Sequence, residues 1–217
     1  AYSTAPSPEG PWTYQGHIMK RAEHLAFTNH AGIIDFKGNS YIFYHDQSLS
    51  KGEGFKRSVC MQEFNYNNDG TIPLISPTQE TAIQSVAHLN PYQRVEAETI
   101  AWSEGVKTAT DSKAGVYVTN IDNGDYLKVR NVDFGEGAES LEVSVSSAAQ
   151  GGTIELRLDK PDGELLGSVQ VENTGAWNNW KIMQTKIEKV NGVHDICFVF
   201  KGKGGELFNF DWWKFKQ

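Results

Sequence analysis

Near its C-terminus the chain runs Leu207-Phe208-Asn209-Phe210-Asp211-Trp212-Trp213-Lys214-Phe215, and no other stretch restricts the fold as strongly. Rings set this densely leave water on folding, so the run reads as a strand of a packed core. Asn209 and Asp211 interrupt the rings. An amide and a carboxylate in such a place need a hydrogen-bond partner, a metal ion or a position at a rim. The rest of the chain has to supply partners for both.

Elsewhere the pattern is that of strands. No segment keeps apolar residues at i, i+3, i+4 and i+7 over three turns, whereas alternation is frequent. Leu141, Val143 and Val145 face one way, with Glu142, Ser144 and Ser146 opposite. Ile154, Leu156 and Leu158 do the same against Glu155, Arg157 and Asp159. Pro161-Asp162-Gly163 makes a hairpin turn. Ile196-Cys197-Phe198-Val199-Phe200 has no polar face and reads as a central strand buried on both sides. With 21 glycines and 12% aromatic residues, the chain is expected to be all-β. From about Tyr92 onward strands recur at the spacing of a β-sandwich, and about 125 residues suffice for its core.

Residues 1–75 give shorter strands. Pro6-Ser7-Pro8-Glu9-Gly10-Pro11 cannot be helical. Ile33–Phe36 and Tyr41–Tyr44 flank Lys37-Gly38-Asn39-Ser40 as a hairpin. Ser58–Phe64 is a further strand, and Asn67-Asn68-Asp69-Gly70 a turn. Ser76-Pro77-Thr78-Gln79-Glu80-Thr81 is polar and without strand pattern. The expected division is therefore 1–75, a linker at 76–90, and 91–217.

The 217 residues carry a net charge of −7 with both signs intermixed. There is no basic stripe and no nucleic-acid motif, so nucleic-acid binding is not expected. No apolar run is long enough to span a membrane. Ala1-Tyr2-Ser3-Thr4 reads as the interior of a strand and not as a signal peptide. Cys60 and Cys197 are far apart, each in an apolar run, and are expected as two buried free thiols.

A few side chains stand out chemically. Glu96 and Glu98 are two apart, which on a strand puts both carboxylates on one face. Such a pair repels itself unless a cation or proton intervenes, and calcium is the ion that takes hard oxygens; a solvated acidic pair is the alternative. Trp177 follows Thr174-Gly175-Ala176, a turn, where a large ring is hard to bury and suits ligand contact. Trp180 is expected in the core, and Trp212 and Trp213 in the core or at its rim. Val116 and Val118 flank Tyr117, so a core position is open to it as well as a ligand position. Asp35, Asp46, Glu63 and Asp69 read as surface or structural carboxylates, and none is nominated as catalytic. His30 alone reads as a structural histidine, and Arg57 as a surface charge.

Several motifs occur together and in order: Val95-Glu96-Ala97-Glu98, Gly124-Asp125-Tyr126-Leu127, Asn131-Val132-Asp133-Phe134-Gly135, Thr174-Gly175-Ala176-Trp177 with Trp180, Val193-His194-Asp195-Ile196, Val199-Phe200-Lys201-Gly202, and Phe208–Trp213. In these, residues 92–217 resemble a family 6 carbohydrate-binding module, with a jelly-roll-like β-sandwich. The resemblance implies a structural calcium held by Glu96, Glu98 and Asp211. It also implies a sugar sandwiched between Tyr117 and Trp177 with Asn209 on its hydroxyls, the ligand being xylan or a xylo-oligosaccharide.

The N-terminal pieces also come in a family's order: Ala1–Thr4 leading to Gly10-Pro11-Trp12, Thr28-Asn29-His30-Ala31-Gly32, Tyr41–His45, Phe55–Val59 and Tyr66–Ile72. They resemble the closing blades of the five-bladed propeller of family 43 glycoside hydrolases. By that resemblance His30 faces the propeller axis and Arg57 reaches the sugar beside the cleaved bond, as remnants of a glycosidase site. The family's catalytic acid, base and third carboxylate belong to earlier blades. No catalytic residue is therefore expected here, and the chain alone is expected to be inactive. The implied role is non-catalytic binding of plant polysaccharide that targets a parent arabinofuranosidase or β-xylosidase. The alternative is one fragment of a split enzyme, active only with its N-terminal part. Either role implies an extracellular or periplasmic location.

Overall fold

The structure, a computed structural model, describes residues 1–22, 25–26, 29–47, 57–77 and 87–217. Among these every regular element is a strand. The expected motif positions Thr28, Phe55 and Lys56, and linker positions 78–86, lie outside the described residues. The chain divides into two compact units, Ala1–Val86 and Ala87–Gln217.

The first unit holds β1 (Tyr2–Thr4), β2 (Thr13–Gly16), β3 (Gly32–Phe36), β4 (Asn39–Asp46) and β5 (Ser58–Phe64). β1 pairs with β2, and β3-β4-β5 form an antiparallel sheet. Lys37 and Gly38 turn β3 into β4 with φ of 50° and 87°, the left-handed values a two-residue hairpin requires. Ile42, Tyr44, Phe64 and Ile75 make a small core, while Ile33, Ile34 and Phe36 of β3 are exposed.

The second unit holds β6 (Val95–Glu96), β7 (Trp102–Glu104), β8 (Lys107–Asp111), β9 (Gly115–Thr119), β10 (Tyr126–Asp133), β11 (Ala138–Ser146), β12 (Gly152–Leu158), β13 (Leu165–Val171), β14 (Lys181–Val190), β15 (Val193–Lys201) and β16 (Asn209–Lys216). One sheet runs β13-β12-β15-β10-β7. The other runs β14-β11-β16-β9-β8, with β6 added against β16. This is the expected sandwich. Leu141, Val143 and Val145 of β11 and Ile154 and Leu156 of β12 are fully buried, as their alternation requires. β15 is central, and Ile196 to Phe200 are buried on both faces.

The core closes on aromatic contacts between the sheets. Phe198 lies edge-on to Phe210 at 5.4 Å and packs against Trp213 at 5.5 Å. Rings at these separations favour edge-to-face contact and are worth about 0.5–1.5 kcal/mol beyond the area they bury. Strict alternation would put Phe210 and Trp213 on opposite faces of β16. The ladder avoids this: Trp212 stands opposite Ser144 and Phe210 opposite Val145, so Asp211 is an extra, bulged residue. Such a bulge shifts the strand's phase by one. Phe210, Trp213 and Phe215 thereby share the core, while Asn209 and Trp212 stand with Ser146 and Ser144 on the other face.

Both cysteines are free; Cys197 is buried, and Cys60, expected to be buried, is only half covered. Among the described residues no helix is long and apolar enough to cross a membrane.

Candidate functional site

The polar face of β11 and β16 builds the site. Ser146 and Asn209 stand opposite each other, and both reach one main-chain group. The Ser146 hydroxyl donates to the Trp177 carbonyl at 2.6 Å, and the Asn209 amide donates to the same oxygen at 2.8 Å. The segment leading to Trp177 is held as well. Thr174 N–H donates to the Ser147 carbonyl at 2.8 Å, and Ser147 N–H donates to the Thr174 hydroxyl at 2.9 Å. Gly175 adopts φ 97°, which lets the chain double back there, and its N–H donates to Asn173 Oδ1 at 2.7 Å. The result is a braced loop that leaves the Trp177 ring 37% exposed, while Asn209 is only 2% exposed.

The third residue expected at the site, Tyr117, lies on β9, and it is Thr119 of that strand that reaches Asn209. Thr119, two residues on and on the same face, has its hydroxyl 2.7 Å from Asn209 Oδ1 and 2.9 Å from Glu206 Oε1, one proton serving two acceptors. Tyr117 is half-buried and meets Trp180 edge-on at 5.1 Å. Trp180, expected in the core, is instead only partly covered: its indole N–H donates to Asp111 Oδ2 at 3.1 Å. That interaction needs a polar surround, which the sandwich core lacks. The N–H groups of Ala114 and Lys113 hold the Asp111 carboxyl below the usual carboxylate range. A cleft of about 330 Å³ runs between Trp180, Trp212, Asn178 and Lys113.

Sequence reasoning missed Ser146, Thr119 and Glu206. The readable signal for Ser146 was its polar phase in β11, directly opposite Asn209. Thr119 and Glu206 follow no pattern that spacing exposes.

Arg94 links two of the expected metal residues, Glu96 and Asp211, beside the bulge. Strand β6 ends at Glu96, and Glu98 lies in the turn that follows. The one-face argument for the pair therefore fails, since it needs both residues extended. Arg94 binds Glu96 bidentately, with Nε and Nη2 each 2.8 Å from a carboxylate oxygen, and reaches Asp211 Oδ1 at 3.4 Å. Its guanidinium lies 5.5 Å from the Trp212 ring centre. Ser144 donates to Asp211 Oδ2 at 3.2 Å. Burial still pushes the Asp211 carboxyl up to about 6. Burial likewise raises Glu98, whose Oε2 is buried without a hydrogen-bond partner. Among the described residues no set of three or more His, Cys, Asp or Glu side chains is gathered closely enough to hold a metal.

In the first unit His30 is exposed and lies edge-on to His45 at 6.2 Å. Arg57 is exposed just before β5.

The profile of the carbohydrate binding module, family 6, matches residues 96–217. An arabinoxylan arabinofuranohydrolase of Bacillus subtilis (strain 168) is 40% identical over all of this chain, which spans 44% of that protein. The crystal structure of a glycoside hydrolase family 43 arabinoxylan arabinofuranohydrolase from Bacillus subtilis, in complex with cellotetraose, superposes with a TM-score of 0.90. It is 40% identical and covers 100% of this chain, which corresponds to 47% of that one. A family 6 carbohydrate-binding module from Clostridium cellulolyticum, in complex with xylose, is 40% identical. It covers 59% of this chain and 100% of its own length, with a TM-score of 0.58. The expected order, a family 43 segment followed by a family 6 module, is thus borne out.

Proposed function

The chain belongs, through residues 96–217, to carbohydrate binding module family 6, and from that premise we propose that it binds xylan and xylo-oligosaccharides at the Trp177 loop. The observation that carries this is the Trp177 ring, 37% exposed on a loop whose carbonyl is fastened by Ser146 and Asn209. A pyranose has an apolar face of C–H groups and a rim of hydroxyls. An immobilised indole covers the face, and amides and carboxylates answer the hydroxyls. In this reading Trp177 is the platform and Tyr117 closes the sugar from the β9 side. Asn209 has a twofold role: one N–H fixes the loop, and the second is assigned to a hydroxyl. The xylose-bound relative supports the choice of pentose. Titration calorimetry with xylohexaose tests it: Trp177→Ala should bind at least tenfold more weakly, since a stacked ring is worth on the order of 1.4 kcal/mol or more. Unchanged affinity removes Trp177 from the site.

We assign Glu96, Glu98 and Asp211 to a structural calcium. The fit rests on Glu98 Oε2, buried and unpaired, and on the raised Asp211 carboxyl. Arg94 compensates Glu96 fully but Asp211 only loosely, so negative charge remains for a hard cation. Calcium would neutralise these groups and fasten β6 to β16. Its addition should raise the melting temperature, and a chelator should reverse the gain.

Residues 1–75 are read as propeller blades of a family 43 catalytic domain, with His30 and Arg57 as parts of its sugar site, and the module then targets an arabinofuranosidase or β-xylosidase to its polymer outside the cytoplasm. The match over the whole chain to relatives about twice as long favours this. It leaves a second reading, in which the chain works as one fragment of such an enzyme. Mass spectrometry for a companion fragment, with an assay on p-nitrophenyl arabinofuranoside, separates the two: turnover only in the companion's presence selects the fragment.

A further inference from the structure

The outward face of β11, between β14 and β16, carries groups that the Trp177 loop does not use. Leu141, Val143 and Val145 point into the core, so Ser140 and Glu142 point out. The ladders set Ser140 opposite Lys186 of β14 on one side and Lys216 of β16 on the other, and Glu142 opposite Gln184 and Lys214. The two lysines that flank Ser140 start roughly 10 Å apart, which is two strand spacings. Their long side chains span that gap and meet above the Ser140 hydroxyl.

The charges on this face do not cancel. Three lysines from β14 and β16 stand against one glutamate of β11. Lys216 binds that glutamate, Glu142. The acids at the β6 edge, Glu96 and Asp211, are engaged by Arg94. Lys186 and Lys214 are left over: among the described residues neither ammonium has a carboxylate partner. Ser140 is half-buried between the lysines, and among the described residues its hydroxyl makes no hydrogen bond. Past Lys186 the pairing slips, and the exposed Glu188 and Lys189 there offset each other. A positive sheet face is a local inversion in a chain of net charge −7.

We propose that this lysine face is a separate recognition surface for carboxylates borne by a polysaccharide, that is, for polymers carrying uronic acid residues. A uronate lies over Ser140 and accepts from its hydroxyl and from the ammonium groups of Lys186 and Lys216. Lys216 serves both Glu142 and the ligand, because an ammonium has three donors. Lys214 adds charge from the neighbouring row. The occupant follows from charge complementarity. The chain as a whole repels an anionic polymer, so attraction has to be local, and the Ser140 end of the face offers ammonium groups and no aromatic ring. That the polymer is a polysaccharide rests on the sugar-binding reading of Trp177. The surface itself lies on strands and not on the loops. Ser140 and Ser146 stand at opposite ends of β11, about 20 Å apart along an extended strand, so the two places meet different parts of one polymer. Exposed ion pairs are individually weak and screened by salt, and repetition along a polymer makes their sum measurable.

Titration calorimetry on the full chain tests this with glucuronoxylan and with the same polymer after its carboxyl groups are reduced to alcohols. At low salt wild type should bind the native polymer about fivefold more tightly than the reduced one, and about 0.5 M salt should abolish the difference. Lys186→Gln/Lys214→Gln should bind both polymers as wild type binds the reduced one, with an unchanged melting temperature. Lys186→Gln alone, on the exposed side of the edge strand β14, should lose about half of the preference and repeats the test with a smaller change to the fold. Trp177→Ala should weaken both polymers and keep the preference for the native one. A wild type that does not distinguish the two polymers, or a double variant that still does, overturns the lysine face. A Trp177→Ala variant that binds both polymers like wild type overturns the Trp177 reading and leaves the lysine face standing.

Discussion

Asp211 pays no heed to the usual rule that a folded protein stabilises its carboxylates. Burial raises its pKa from 3.8 to about 6, against the opposing pull of Arg94 and Ser144. Between these values the folded chain holds a proton that the unfolded chain has released, so Asp211 disfavours folding as pH rises through 4 to 6 and continues to do so above. In chelator-treated protein the stability gain of Asp211→Asn over wild type should be largest at pH 7. It should shrink by about 2 kcal/mol on going to pH 4.5. Melting curves across that range measure it, and a gain independent of pH would show that Asp211 is not the buried acid described. Calcium should flatten the wild-type dependence, because a bound cation replaces the proton.

Within the elements, the Trp177 loop depends on Thr174, which exchanges hydrogen bonds with Ser147. Thr174→Val keeps the shape and leaves the buried Ser147 N–H without its acceptor, at a cost of about 1–3 kcal/mol. Urea denaturation should show that loss, accompanied by weaker xylohexaose binding; a stable variant with intact binding would mean the loop stands without this brace. The strands themselves were legible in the sequence. β11, β12 and β15 follow their apolar phase because each meets one core, and a core imposes period two. The bulge in β16 was not legible, since Asn209, Asp211, Trp213 and Phe215 share a phase on paper and only pairing with β11 shows the slip. Trp180 was misjudged for a related reason. Its partner Asp111 lies 69 positions away, and local spacing carries no trace of such a contact. The exposure of Trp177, by contrast, could be read from the turn before it.

At the level of the whole molecule the two units are unequally provided. The core of the second spans both sheets, from Val95 to Phe215, whereas that of the first centres on Ile42, Tyr44, Phe64 and Ile75. Hydrophobic burial supplies most of the folding drive, so residues 87–217 alone should melt where the second unit of the full chain melts and bind xylohexaose equally well. Calorimetric scans of both forms measure this; an unfolded or non-binding short form would show that the first unit contributes to the site. If Trp177 holds a polysaccharide as proposed, flow along that long polymer puts the ring under tension. Trp177 is moored through a single carbonyl to Ser146 and Asn209, on neighbouring strands inside one sheet. A pull on the ring is therefore shared between the two stems of the loop and the moorings on β11 and β16.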